Sequence, residues 1–198
     1  MAGTITATSR NDIVGILIGL SAGYVPWLAV GVGSGTASAT DVALFQEVQP
    51  RTGGNISQVT TTTSGDTYQW VGLFTSSSVQ TLTNLGLFYN ATSPVQDQLA
   101  SAVNSNSQSF ILPVNYYSWP TNYPYQLQAG SEVMTVVSGN NYNTLYVLRG
   151  QNNSTASTSI PATTYITQGS GMFVKTNFTG LSLSAGDTIQ FTINVQFQ

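Results

Sequence analysis

The end of the chain constrains its fold more than any other part. From Thr188 to Gln198, the apolar residues Ile189, Phe191, Ile193, Val195 and Phe197 alternate without a fault with Gln190, Thr192, Asn194, Gln196 and Gln198. A period of two puts successive side chains on opposite faces of a strand, one face buried and one wet. Ala185-Gly186-Asp187 supplies the turn before it. A strand this long and uncharged aggregates when left at an open edge, so it requires a partner strand. The chain is thereby committed to a sheet.

Upstream segments read the same way. Val25 to Val32 is apolar and punctuated by Gly31, Gly33 and Gly35, as in a buried strand running into a tight glycine loop. Ile56 to Thr63 and Thr67 to Phe74 are rich in β-branched and aromatic residues, with Ser64-Gly65-Asp66 as the hairpin turn between them. Leu82 to Tyr89 offers a further strand. Two stretches depart from this texture. The apolar run Ile13 to Leu20 predicts one N-terminal helix, capped by Ser9 or Asn11, favoured by Asp12 at its positive end and closed by Gly23. Thr40 to Gln46 reads as a short helical turn anchored by Val42, Leu44 and Phe45.

Residues 94–168 differ again. They open with Val95-Gln96-Asp97-Gln98-Leu99 and pass a Tyr/Pro/Trp cluster between Tyr116 and Tyr125. Two strand-like runs follow, Glu132 to Ser138 and Thr144 to Leu148, around the hairpin signal Gly139-Asn140-Asn141. A Ser/Thr/Asn-rich loop runs from Gln151 to Ser159. The expected fold is therefore all-β: an antiparallel β-sandwich from residues 1–93 and 169–198, with one N-terminal helix and a small β module, 94–168, inserted between two of its strands.

Charge narrows the function. Only 6% of the 198 residues are Asp, Glu, Lys or Arg, against roughly a quarter in a typical soluble domain. The polar surface must then be built from Ser, Thr, Asn, Gln and Tyr, which pack densely against copies of themselves with little self-repulsion. Four basic residues against seven acidic ones provide no clustered Lys and Arg for phosphates, so no nucleic acid is expected as a partner. The longest apolar run falls far short of the ~20 residues that cross a bilayer, so no membrane is expected either. That run also permits a secretory-signal reading, although no basic residue opens the chain and Asp12 stands at the run's edge.

Catalysis is not expected. There is no His and no Cys, so the commonest general base and transition-metal ligand are missing and no disulfide forms. The carboxylates Asp12, Asp41, Glu47, Asp66, Asp97, Glu132 and Asp187 are scattered singly; a glycosidase needs two across a bond, and a calcium site needs several together. No cofactor and no metal are expected. Asp41 and Glu47 flank a short segment beside Arg51, where a structural ion pair holding the loop is the expected role. Gly31-Val32-Gly33-Ser34-Gly35 lacks the Lys-Ser/Thr of a phosphate loop, and its expected role is to turn the chain. Tyr116, Tyr117, Trp119, Tyr123 and Tyr125, interleaved with Pro120 and Pro124, form the candidate contact surface, because rigid aromatic faces stack on sugars and proteins. The alternative is that these rings cover the core of a module short of aliphatic residues. Five glycosylation sequons, at Asn55, Asn90, Asn152, Asn153 and Asn177, arise by chance in so Ser/Thr-rich a chain.

Several stretches, in order, resemble a family of short tail-associated structural proteins of tailed bacteriophages and related viruses. Trp27-Leu28-Ala29-Val30-Gly31-Val32-Gly33 is similar to the family's aromatic-x-Ala-Val-Gly-x-Gly strand, and Asp41, Leu44, Glu47 and Arg51 follow at its spacing. Leu85-Gly86-Leu87-Phe88 resembles its Val-Gly-Leu-Phe strand, with Asn84 standing where an acidic residue is usual. Leu183-Ser184-Ala185-Gly186-Asp187-Thr188 and the alternating strand resemble its C-terminus. The likeness covers about residues 9–92 and 170–198. Within the insert, Gly130 to Val136, Leu145 to Gly150 and Ser154-Thr155-Ala156 resemble a second module of phage structural proteins, with Ser159 near the place of its usual His. The resemblance implies a non-enzymatic virion protein at the particle surface, in the tail, baseplate or a fibre. Its implied partners are other virion proteins and its own copies, with a host surface glycan or receptor as a further partner. A capsid decoration protein and a secreted carbohydrate-binding module are the alternatives, and a tail depolymerase is the enzyme reading. Met1 to Thr8, with little apolar content beyond Ile5, is expected to add as a strand to a neighbour's sheet edge.

Overall fold

The computed structural model describes residues 4–5, 26–48, 50–59, 67–140 and 143–196. Among them the chain is antiparallel β throughout, and the single helical element is a 3-10 turn, Tyr116–Ser118. The helix expected over residues 9–23 and the turn Ser64-Gly65-Asp66 lie outside the described residues.

Seven strands build a two-sheet sandwich. Thr4–Ile5 (β1), Trp27–Gly31 (β2), Gln80–Phe88 (β5) and Met172–Leu183 (β12) form one sheet in the order β1-β12-β5-β2. Asn55–Val59 (β3), Thr67–Thr75 (β4) and Thr188–Gln196 (β13) form the other, in the order β13-β4-β3. The inward faces meet in one core: Leu28 and Val30 from β2, Trp70 and Phe74 from β4, Leu82, Leu85 and Leu87 from β5, Phe173 and Val174 from β12, and Phe191 and Val195 from β13. In β13 the alternation does what the sequence requires. Phe191 and Val195 are buried and Ile189 and Ile193 half-buried, while Thr188, Gln190, Thr192 and Asn194 are exposed. β4 pairs with it from Thr188↔Thr75 to Gln196↔Thr67 without a register shift. The two sheet-to-sheet connections bond each other, Ser76 N–H to the Asp187 carbonyl at 2.8 Å and Gly186 N–H to the Ser76 carbonyl at 2.7 Å.

Between β5 and β12 the chain makes a second body of sheet. Gln96–Gln98 (β6), Phe110–Ile111 (β7), Tyr125–Ala129 (β8), Glu132–Asn140 (β9), Thr144–Leu148 (β10) and Tyr165–Gln168 (β11) form six strands in the order β6-β11-β8-β9-β10-β7. The two ends of that order also meet. Leu99 bridges Pro113, Ala100 N–H donates to the Leu112 carbonyl and Val114 N–H to the Gln98 carbonyl, each at 2.8 Å. The sheet thus closes into a small barrel, which removes its open edges. Its filling is its own: Leu99, Ile111, Trp119, Leu127, Met134, Val136, Leu145, Val147 and Ile166 are among the residues that form a core separate from that of the sandwich.

Three local expectations are corrected. Thr40–Gln46 is irregular rather than helical, because Val42, Ala43 and Phe45 give their backbone N–H groups to side chains from elsewhere. The glycines after β2 do not turn the chain. They let it lie against the segment around Phe45, bonded through Val32 N–H to the Gln46 carbonyl and Gly33 N–H to the Phe45 carbonyl. A Cβ on Gly31 would stand 2.6 Å from the Phe45 carbonyl oxygen, and one on Gly33 2.7 Å from it. Close backbone approach is what these positions require. Thr4–Ile5 pairs with Lys175 and Val174 of β12 in the same chain rather than with a neighbour's edge.

Candidate functional site

The aromatic cluster divides. Trp119 is 5% exposed and belongs to the barrel core, so it is not a contact residue; its ring stacks on Tyr125, centroids 6.3 Å apart and planes at 12°. Tyr116, Tyr123 and Tyr125 are half-buried against the same core. Burial pushes the Tyr125 hydroxyl up from its ordinary pKa, with smaller contributions from Tyr123 and Tyr116. Tyr116 and Tyr123 lie over β9 where Gly139 has no side chain to obstruct them. Tyr117 alone points to solvent, at 85% exposure. Three of the rings thus cover the barrel core.

The barrel's outer face carries apolar residues that the sequence reading did not single out. Phe110 and Tyr146 pair across β7 and β10, and with Leu148 they are exposed while their neighbours Ile111, Leu145 and Val147 face inward. Val137 joins them on β9, beside the register shift at Tyr146/Val147.

The seam between sandwich and barrel is polar, and it is built around residues 38–51. Gln128 of β8 reaches across it: Oε1 accepts from Val42 N–H at 2.9 Å and Ala43 N–H at 3.0 Å, while Nε2 donates to Asp41 Oδ1 at 2.5 Å and to the Gly130 carbonyl at 2.9 Å. Gln96 of β6 does the same for Glu47, accepting its N–H at 2.9 Å and donating to its carbonyl at 3.1 Å. On the sandwich side Asn84 is fully buried. Its Oδ1 accepts from Phe45 N–H and its Nδ2 donates to the Gly33 and Phe45 carbonyls. A carboxylate could not donate, so Asn is the residue this geometry needs.

Ionic groups finish the seam. Glu47 and Arg51 pair with each other, Nε to Oε1 at 3.1 Å and Nη2 to Oε2 at 3.2 Å, and the guanidinium lies over the Phe88 ring, 3.7 Å from its centroid. Burial nevertheless raises the Glu47 pKa, against the pull of Arg51. Asp41 does not join that pair. It meets Lys175 of β12 at 2.8 Å, both side chains 0% exposed. The Lys175 ammonium also donates to the Ala43 carbonyl at 2.9 Å and sits over Phe45. Burial pulls Lys175 from the ordinary 10.5 down to about 8, more than Asp41 restores. A third pair holds the barrel. Arg149 faces Glu132 side-on, Nε to Oε1 at 2.6 Å and Nη2 to Oε2 at 2.7 Å. Glu132 also accepts from Gly150 and Ser157 N–H, and Arg149 donates to the Ser105 and Ser157 carbonyls. Sequence reading missed this pair and Lys175; the one signal available was the scarcity of charge, which makes each charge a candidate for a fixed partner.

Comparison of the chain with family models, with curated proteins and with solved structures finds no match.

Proposed function

We propose that this chain is a non-enzymatic structural protein of a tailed virus particle, displayed on its surface as a tail, baseplate or fibre component. Within that reading the sandwich is the anchor, and the barrel of 94–168 faces outward. One observation carries the proposal. The three described basic residues, Arg51, Lys175 and Arg149, are all consumed in ion pairs, with side chains at most 5% exposed. Of the described acids only Asp97 and Asp187 remain; Asp97 is half-buried, accepting from Gln98 and Asn115 N–H, and Asp187 caps Ser184 at a turn. Among the described residues the exterior is therefore even poorer in charge than the composition. Such a surface suits close packing among many copies and neighbours, and it offers nothing to phosphates. The same pairs support absence of catalysis, because Asp41, Glu47 and Glu132 each face a cation rather than a second carboxylate across a cleft.

Quantifying the protein in purified particles tests this. A small copy number set by tail symmetry is expected. A near-stoichiometric ratio to the major capsid protein would move it to capsid decoration, and absence from particles would refute both.

A further inference from the structure

A cleft of about 360 Å³ opens where the glycine segment after β2, the Phe45 segment and the barrel strands β8 and β11 meet. From its geometry we propose that it is a binding site for a neutral saccharide of one or two rings, distinct from the aromatic cluster and independent of where the protein resides.

Two observations converge. The first is unused hydrogen-bonding capacity. At the base of the cleft, Gln128 and Thr167 are engaged, Thr167 with Gln96. Around its walls, Ser34, Gln46, Thr163, Thr164 and Tyr165 make no side-chain hydrogen bond among the described residues. Hydroxyls and a carboxamide both donate and accept, which is what sugar hydroxyls require, and the half-buried Tyr165 ring offers a face for a pyranose C–H surface. Among the described residues no charged side chain lines the cleft, so a phosphate, carboxylate or ammonium would enter without compensation from them. The volume lies at the small end of the roughly 300–1,000 Å³ typical of ligand pockets.

The second is backbone strain at the same rim. Gln46 stands at φ 54° and Thr163 at φ 67°, in the left-handed region that β-branched residues avoid. Glycine is the residue that relieves such a conformation, yet side chains with unused polar groups occupy both positions. Strain held in place by surrounding structure accompanies ligand sites.

The test uses the full chain, isotopically labelled, with amide shifts followed during titration by D-glucose, D-galactose, N-acetyl-D-glucosamine and their disaccharides, and by D-glucuronate as the charged control. Saturable shifts at Gln46 and Thr163–Tyr165 with at least one neutral sugar, and a response to glucuronate at least tenfold weaker, are expected. Gln46→Gly and Thr163→Gly should melt at or above the parent temperature while losing that response at least tenfold. A purely structural role would not separate stability from binding in this way. No saturable shift with any neutral sugar, equal binding of glucuronate, or unchanged binding in both glycine variants would overturn the proposal.

Discussion

Arg149 and Glu132 show how much a single buried charge can demand. With four acceptor positions on Glu132 filled by two N–H groups and one guanidinium, removing the cation leaves a carboxylate stranded in the barrel wall. Arg149→Met is predicted to cost about 3–5 kcal/mol, whereas the double change Glu132→Gln with Arg149→Met recovers part of it, because the unpaired charge is gone while the new amide NH2 still faces a backbone N–H. Urea denaturation of both variants checks this; equal losses would refute it. Lys175 makes the complementary case. Its folded pKa of about 8 lies below the ordinary 10.5, so between those values the unfolded chain holds more protons. Stability from this group therefore rises with pH across that window, by at most about 1.4 kcal/mol per pH unit, and is lost as pH falls through 8. The difference between the parent chain and Lys175→Met, followed from pH 7 to 10.5, should show that rise; a flat difference would contradict it.

The glycine-punctuated strand illustrates what sequence pattern conveys about an element. Its existence and its burial were legible from the apolar run Val25 to Val32, within which the strand occupies Trp27–Gly31. Its purpose was not, because a run of alternating glycines is compatible with a turn or with a flat approach, and the difference depends on Phe45, which lies beyond the run. Gly33→Ala is predicted to cost about 1–3 kcal/mol through forced separation from the Phe45 backbone. By contrast Thr192→Ala, on the wet face of β13, should stay within about 0.5 kcal/mol. Thermal denaturation of the two variants separates them, and similar losses would show that the close approach is slack. The helical turn over Thr40–Gln46 failed for the converse reason. Apolar spacing favoured it locally, but Gln128 and Asn84 satisfy those N–H groups from outside, and long-range partners outweigh a single turn of helix.

Sandwich and barrel each have a separate core, and hydrogen bonds from Gln128 and Gln96 join them. Polar seams fix relative orientation, since every donor must find its acceptor. On the outside, with so few charges among the described residues, the proposed contacts with neighbours would fall to neutral polar and apolar groups such as Tyr117, Leu148 and Phe110. Attachment to particles is accordingly predicted to change less than about twofold between roughly 0.05 and 1 M NaCl, because screening acts only on charges. Salt-driven release in a sedimentation assay would contradict this and the proposal that rests on it.

The all-β class, the pairing of the final strand and the separate texture of residues 94–168 were legible from the chain alone, because alternation and turn residues act over a few positions and need no distant partner. The pairing of Asp41 with Lys175, the union of Glu132 with Arg149, the closure of the insert into a barrel and the burial of Trp119 were not. Each joins positions separated by anything from about a dozen to more than a hundred residues. With no charge pattern or spacing to link them, their partners are set by which strands the closed sheets bring side by side.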